Sequence, residues 1–469
     1  MESSEHRLPE HPRRGTRPGR PARRTGRVML GARAALRPSP TGRATAAPLG
    51  ARVALRLSFA RPAGRAVLAV LLAGCAALSA GCAVRVPPAP RITIVPASGT
   101  TAAPPEAGLV VRAEGGSLTS VLAFAGRDPV PGAFDPSHTV WRSSWTLRPG
   151  TQYVVDAVAV GADGVTSQAA GGFRTLRPRR EVAVASVAPY DGETVGIGMP
   201  IIVTFTRPVE DRAAVERALE VRGPAEGAWH WPGPAQVVYR PRRMWPANTK
   251  VRFTAHLAGV RAGPATYGVA DRSVAFTVGR AMVSTVDTRA HQMVVRQDGV
   301  VAQRMPISAG MATTREYTTS SGTHLTMDKG NPVRMVSPGR REGDPGYYDK
   351  LIGYAVRISN SGEYVHAMDN TWAQGRTNVS HGCVNVRPDQ ARWFYDHALR
   401  GDPVVVTGTS RSLEWNNGWG YWQLSWPRWL AGSALRGDGQ AGPSSGTGPG
   451  RATVTSSPPS ARGQTSSVP

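Results

Sequence analysis

Glu363-Tyr364-Val365-His366-Ala367-Met368-Asp369-Asn370 and Ser380-His381-Gly382-Cys383-Val384-Asn385-Val386, with Trp372-Ala373-Gln374-Gly375 between them, carry the densest chemistry in the chain. Cys383 is one of three cysteines and the only one after residue 82. His366 lies seventeen residues before it and His381 two before it. A thiol needs a base to become a thiolate at neutral pH, and imidazole titrates in the right range. Gly382 removes a Cβ where backbone can approach a substrate, so the amides of Gly382 and Cys383 are candidates to meet a developing oxyanion. Two other readings fit the same residues. Cys383 can be inert packing. Alternatively His366, His381 and Cys383, with Asp369 as a fourth, can be metal ligands, since His381 and Cys383 share a face if the segment is a strand.

Upstream, the chain reads as mainly β, and 469 residues leave room for about three domains at roughly 100–200 residues each. Residues 85–105 are rich in Pro, Ala and Thr and read as a short linker. A first module over 85–178 is built of short β-type runs between turn signals, such as Gln152–Val160 followed by Gly161-Ala162-Asp163-Gly164. A second over 179–279 has strand candidates at 200–206, 236–239, 250–257 and 273–278. Its large residues Trp229, Trp231, Trp245, Tyr239 and Phe253 read as core, with a glycan-stacking platform as the alternative. The spacing suggests two small β-sandwiches.

The third domain, over 280–408, opens on a hairpin signal. Asp298-Gly299 sits between the runs His291–Gln297 and Val300–Met305. One helix is expected over 389–399 after Pro388, with Gly401 as its stop, and a closing strand at Val404-Val405-Val406. A segment over 409–432 carries Trp415, Trp419, Trp422, Trp426 and Trp429, and so much apolar surface must dock. It is expected to pack on the third domain. Residues 433–469 are Gly/Ser/Pro/Thr-rich and read as disordered.

The formal net charge is +24, and residues 1–65 supply fifteen Arg against three Glu. Lysine occurs only at positions 250, 329 and 350. No aromatic residues interleave with the Arg cluster, which speaks against a nucleic-acid-binding arm. Residues 1–84 read as a basic disordered region followed by an export signal: Arg65 and Arg85 bracket nineteen uncharged residues ending in small ones. Leu72-Ala73-Gly74-Cys75 and Ser79-Ala80-Gly81-Cys82 both resemble the bacterial lipobox. That places Cys75 or Cys82 as the lipidated residue, with the rest of the chain outside the cytoplasm, anchored to the outer face of the membrane. An uncleaved membrane-spanning anchor is the alternative.

Ser-His-Gly-Cys-Val-Asn after a strand ending in His366 resembles the L,D-transpeptidases of bacterial cell walls, whose catalytic domain is of the YkuD type. The likeness extends through Asn378–Cys383 and Gln390–His397. The order of lipoprotein signal, two immunoglobulin-like modules, catalytic β domain and Trp-rich C-terminal subdomain is similar to the actinobacterial form. The resemblance implies Cys383 as acylated nucleophile and His366 as general base, oriented by a backbone carbonyl near Ala367. It implies that His381 and Asn385 hold the cysteine loop and the oxyanion site, that Gly382 belongs with the catalytic residues and Ser380 with the substrate-binding ones, and that Tyr348 and Met327 line the donor site from a lid. The implied substrates are peptidoglycan tetrapeptide stems as donor and acceptor, joined between diaminopimelate residues through a thioester. Carbapenem β-lactams are implied covalent inhibitors, and no metal or organic cofactor is needed. L,D-carboxypeptidase action on the same stems, or a non-catalytic wall-binding protein with a degenerate third domain, are the alternatives.

Overall fold

The structure, a computed structural model, describes residues 88–337 and 339–435. The basic region and export signal, with Cys75 and Cys82, and the tail from 436 onward lie outside the described residues. Among the described residues no helix is long and apolar enough to cross a membrane.

The first module is a sandwich of two four-stranded sheets. In Gln152–Gly161 the residues Tyr153, Val155, Ala157 and Ala159 are buried while their neighbours are not, as a half-buried strand requires. They meet Leu118, Trp141 and Phe173 in one core. The stretch read as linker already belongs to the sandwich: Arg91–Val95 pairs antiparallel with Val110–Glu114. Its alternation of Ile and Val with polar residues outweighs the Pro and Ala around it.

The second module packs the sheet of Val184–Ala188, Ile201–Phe205, Gln236–Pro241 and Gly227–Gly233 on one holding Leu219–Arg222, Thr249–Ala255 and Arg272–Val278. Trp229, Trp231, Trp245, Tyr239 and Phe253 are all buried in its core, which removes the glycan-platform reading for them. Gly259, at φ +87°, joins the two modules. A Cβ there would fall 1.9 Å from the Leu147 carbonyl oxygen, so only glycine fits. Beside it Thr146 donates to the Ala258 carbonyl at 2.7 Å, and Trp145 stacks on His256 at 3.6 Å.

The third domain is built from β1 (Met282–Asp287), β2 (Gln292–Gln297), β3 (Val300–Pro306), β4 (Gly322–Leu325), β5 (Lys329–Gly330), β6 (Val333–Val336), β7 (Asp349–Ile352), β8 (Ala355–Arg357), β9 (Tyr364–Ala367), β10 (Val384–Val386), α1 (Pro388–His397) and β11 (Pro403–Thr407). Strands β3-β2-β1-β11-β4 form one sheet, β5-β8-β9-β10 a second, and β6-β7 a separate hairpin. Asp298 and Gly299 both take positive φ, as the tight turn between β2 and β3 demands. Helix α1 starts at the proline and ends at His397, two residues before the expected end at 399. Its Ala391 and Phe394 pack on Val365, Val384 and Val386, which seats β9 and β10. Arg280 anchors the domain from below with two bonds to the buried carboxylate of Asp402, at 2.9 and 3.1 Å.

The Trp-rich segment docks on the third domain as expected only with its earlier half. Helix α2 (Trp426–Leu430) and the turn before it cover the outer face of the second module: Trp429 and Tyr421 pack on Ile202, Ala228 and Val238. The Trp429 indole donates to the Ala228 carbonyl at 2.9 Å, and His230 stacks on it with ring centroids 4.6 Å apart. Arg240 lies under Trp422, Trp426 and Trp429. Burial brings its guanidinium down to about 10. The earlier half of the segment bonds the third domain, the Ser321 N–H donating to the Arg411 carbonyl at 2.7 Å and the Leu413 N–H to the Ser321 carbonyl at 2.8 Å, with Gln423 on the Thr323 carbonyl and Asn417 on Ser361, while the tryptophans go to the second module. The reason is that Ile201-Ile202-Val203 is apolar on both faces, so this sheet needs a second cover.

Candidate active site

Strands β9 and β10 run parallel, with His366 opposite Asn385, Val365 opposite Val384 and Ala367 opposite Val386. Side chains alternate along a strand, so Val365, Val384 and Val386 enter the core. Tyr364, His366, Cys383 and Asn385 are left on the opposite face. A cavity of about 200 Å³ opens there, lined by His366, Met368, Asn370, Ser380, His381, Cys383 and Asn385, with Met335, Tyr348, Lys350 and Ile352 reaching in from the β6-β7 hairpin. A second cavity of about 270 Å³ lies beyond, lined by Glu316, Tyr317, Arg340, Ser361 and Tyr364. Met335, Tyr348, His381 and Cys383 line both.

His366 is buried, and its Nδ1 lies 2.8 Å from the carbonyl oxygen of Ala367. A carbonyl can only accept, so Nδ1 carries the proton and Nε2 keeps a lone pair. Burial holds the ring below the ordinary imidazole range, although the carbonyl pulls the other way. His366 is therefore a neutral base at physiological pH.

The thiol is not ionised at rest. Burial pushes Cys383 up to about 12, and the charge of Glu363 adds to this, while a backbone hydrogen bond from Tyr364 opposes it. Sγ lies 3.5 Å from the Gly362 carbonyl oxygen, to which the thiol can donate. The resting pair is neutral thiol and neutral imidazole.

Ser380 shapes the cysteine loop and spends its hydroxyl doing so. It donates to the Cys383 carbonyl at 2.6 Å and accepts the Gly382 N–H at 3.1 Å. The expectation that the Gly382 amide meets an oxyanion therefore fails, because that donor is taken. Gly382 is required for another reason than the one expected: φ is +125°, whereas an added Cβ would meet nothing nearer than 3.6 Å. Thr319 ties the loop from behind, donating to the Gly382 carbonyl at 2.8 Å.

His381 stands at the mouth against Tyr317, with ring centroids 4.4 Å apart and edge to face, and against Tyr348 at 5.3 Å. Burial, with the Arg340 guanidinium adding, lowers its ring below the usual range. Asn385 faces the cavity with its Oδ1 buried and unpartnered. Met327 is placed differently from the expected donor-site residue: it is buried beside Gly418 and lines neither cavity. Two methionines stand at the site, Met368 after β9 and Met335 on the hairpin strand whose alternate residues face inward. Asp369 lines neither cavity, and among the described residues no three His, Cys, Asp or Glu side chains converge as a metal set would.

Three cations border the cavities. Arg334 pairs with Asp349 at 2.6 Å and Arg340 with Glu316 at 3.0 Å. Lys350 has no acidic partner among the described residues. Sequence reasoning missed Met335, Lys350 and Asn370; the alternation within β6 and β7 was the available signal.

The site's surroundings match known proteins. A family model for the L,D-transpeptidase catalytic domain matches residues 281–406, and one for a bacterial Ig domain matches residues 100–261. L,D-transpeptidase 5 of Mycobacterium tuberculosis (strain ATCC 25618 / H37Rv) is 37% identical over 361 residues, 75% of this chain and 78% of the relative. L,D-transpeptidase 2 of Mycobacterium tuberculosis (strain CDC 1551 / Oshkosh) is 33% identical over 353 residues, 74% of this chain and 85% of the relative. The solved structure of LD transpeptidase LdtMt1 in complex with imipenem is 36% identical, covering 48% of this chain and 99% of that one, with a TM-score of 0.42. Likeness that runs through the immunoglobulin-like modules as well as the cysteine domain makes this chain a member of the L,D-transpeptidases, an acyltransferase with a mainly β fold.

Proposed function

We propose that the chain joins peptidoglycan stem peptides through a thioester on Cys383. In the donor step His366 Nε2 takes the thiol proton as Sγ attacks the carbonyl carbon of the third stem residue. The bond to the terminal D-alanine breaks, and its amine leaves with the proton from His366. In the acceptor step the side-chain amine of a second stem's diaminopimelate attacks the thioester, gives its proton to His366, and the sulfur departs. The observation that carries this reading is that Cys383 borders two cavities at once. A transfer between two peptides needs a place for each, whereas hydrolysis needs only one. The unpartnered Asn385 oxygen suits a substrate N–H, and Lys350 a substrate carboxylate.

The strained carbonyl of a carbapenem is open to the same attack, and imipenem in the LdtMt1 complex supports this for a relative. The export signal with Cys75 or Cys82 supports a lipid tether on the outer face of the membrane, from which the two immunoglobulin-like modules carry the catalytic domain toward the wall. Incubation of the purified protein with disaccharide tetrapeptide, read by mass, tests the function. Loss of D-alanine with dimer formation is expected. Absence of both, with Cys383→Ala indistinguishable from wild type, sinks the proposal, and D-alanine loss without dimer makes the enzyme an L,D-carboxypeptidase.

A further inference from the structure

The reaction above does not use Glu363, yet this is a buried carboxylate beside the nucleophile, 3% exposed. It forms no ion pair among the described residues. Ser320 satisfies it instead: the Ser320 N–H donates to Oε1 at 2.7 Å, and the hydroxyl lies 2.8 Å from both carboxylate oxygens. The residues on either side of Glu363 are those that touch the sulfur, Gly362 through its carbonyl and Tyr364 through its N–H. Thr319, next to Ser320, bonds the Gly382 carbonyl. One dipeptide, Thr319-Ser320, thus grips both backbone segments that meet at Cys383. His324 backs it, with Nε2 2.8 Å from the Ser320 carbonyl oxygen and Nδ1 3.0 Å from that of Ile358.

We propose that Glu363 is a positioning residue: clamped by Ser320, it fixes the Gly362 and Tyr364 peptide groups on the sulfur and sets a buried carboxylate behind the nucleophile. The other groups around the sulfur do not do this. His366 from β9 and His381 from the cysteine loop are neutral. From the hairpin come Tyr348, the cation Lys350 and the Arg334–Asp349 pair, and from the opposite wall the Arg340–Glu316 pair. Among these side chains Lys350 is the cation with no acidic partner among the described residues; like the Tyr364 N–H it favours a thiolate, and Glu363 opposes both. A carboxylate held inside a protein raises the cost of a second negative charge nearby.

The test reads the sulfur, not the reaction with stems, so it stands or falls apart from the proposed function. The full-length protein is treated with iodoacetamide across a pH series, and alkylation of the Cys383 peptide is followed by mass, which separates it from Cys75 and Cys82. Glu363→Gln keeps the shape and removes the charge. It is expected to move the alkylation midpoint down by about one pH unit, giving about tenfold faster labelling at pH 8. Glu363→Asp keeps the charge and is expected to hold the wild-type midpoint. A midpoint unchanged or raised in Glu363→Gln overturns the proposal. So does an equal downward move in Glu363→Asp, which makes the effect one of shape. If Glu363→Gln does not fold, a Glu363→Asp midpoint at the wild-type value supports the proposal and a lowered one overturns it.

Discussion

His366 and Asn385 stand directly opposite each other on two parallel strands, so the proposed base and an unpartnered amide oxygen face one cavity side by side. The neighbouring valines anchor both strands to α1, and the pair cannot shift without unpacking the core. The base is thus positioned by backbone pairing and carries no carboxylate partner.

The acid limb of the reaction follows from this. Burial lowers His366, so the neutral, active form persists to a lower pH than a free imidazole allows. Acylation of Cys383 by a carbapenem is expected to stay level from pH 8 to 7 and to fall only below the usual imidazole value of about 6.5. Stopped-flow acylation rates across pH check this; a limb at or above 6.5 contradicts it. His366→Gln should lower the rate by about 10²–10⁴-fold.

Ser380→Ala removes the bridge between the Gly382 N–H and the Cys383 carbonyl. The loop loosens and the sulfur loses its aim, for which a drop in acylation rate of about 10²-fold is expected. Thermal unfolding should move little by comparison, at a cost of about 1–3 kcal/mol. A variant with wild-type acylation would show that the hydroxyl does not shape the loop.

Asp402 lies at 1% exposure, and burial pushes it up to about 6 even with Arg280 bonded to it. The folded value lies above the unfolded one, so folding favours the protonated acid, and stability from this group grows as pH falls from 6 toward 4. Arg280→Gln leaves the carboxylate without its cation. The expected loss is about 3–5 kcal/mol at pH 7 and smaller at pH 5, where the acid takes up a proton. Denaturant unfolding at the two pH values decides the matter; equal losses would contradict it.

Trp429 is fully buried between His230 and the sheet of the second module. Trp429→Ala should cost about 3–5 kcal/mol. It should also expose Ile202 and Val238, read as increased binding of a hydrophobic dye. Wild-type stability would mean that the segment is an ornament on the fold.

Much of this is local enough to read from residues alone. Asp298-Gly299 demands a tight turn because both residues must take positive φ. The spacing of His366 and Cys383 is consistent with two strands on one sheet, but their shared face comes from the register that α1 enforces. What escaped reading depends on contacts between distant segments. Met335 rather than Met327 reaches the cavity because the hairpin register decides which alternate residue faces inward. Glu363 looks like an ordinary polar residue until Ser320, over forty positions earlier, is brought against it. The Trp-rich segment had two apolar surfaces to choose from, and a double-faced strand in the second module attracted most of it.

The placement of α2 has a consequence for how the protein is made. Ribosomal synthesis delivers the second module long before residues 409–435, so Ile202, Ala228 and Val238 wait uncovered until that segment arrives. A prematurely terminated product would display that sticky face permanently and be exposed to aggregation and proteolysis. The last helix thus works as a seal of completion, certifying that a catalytic domain has been delivered along with its support.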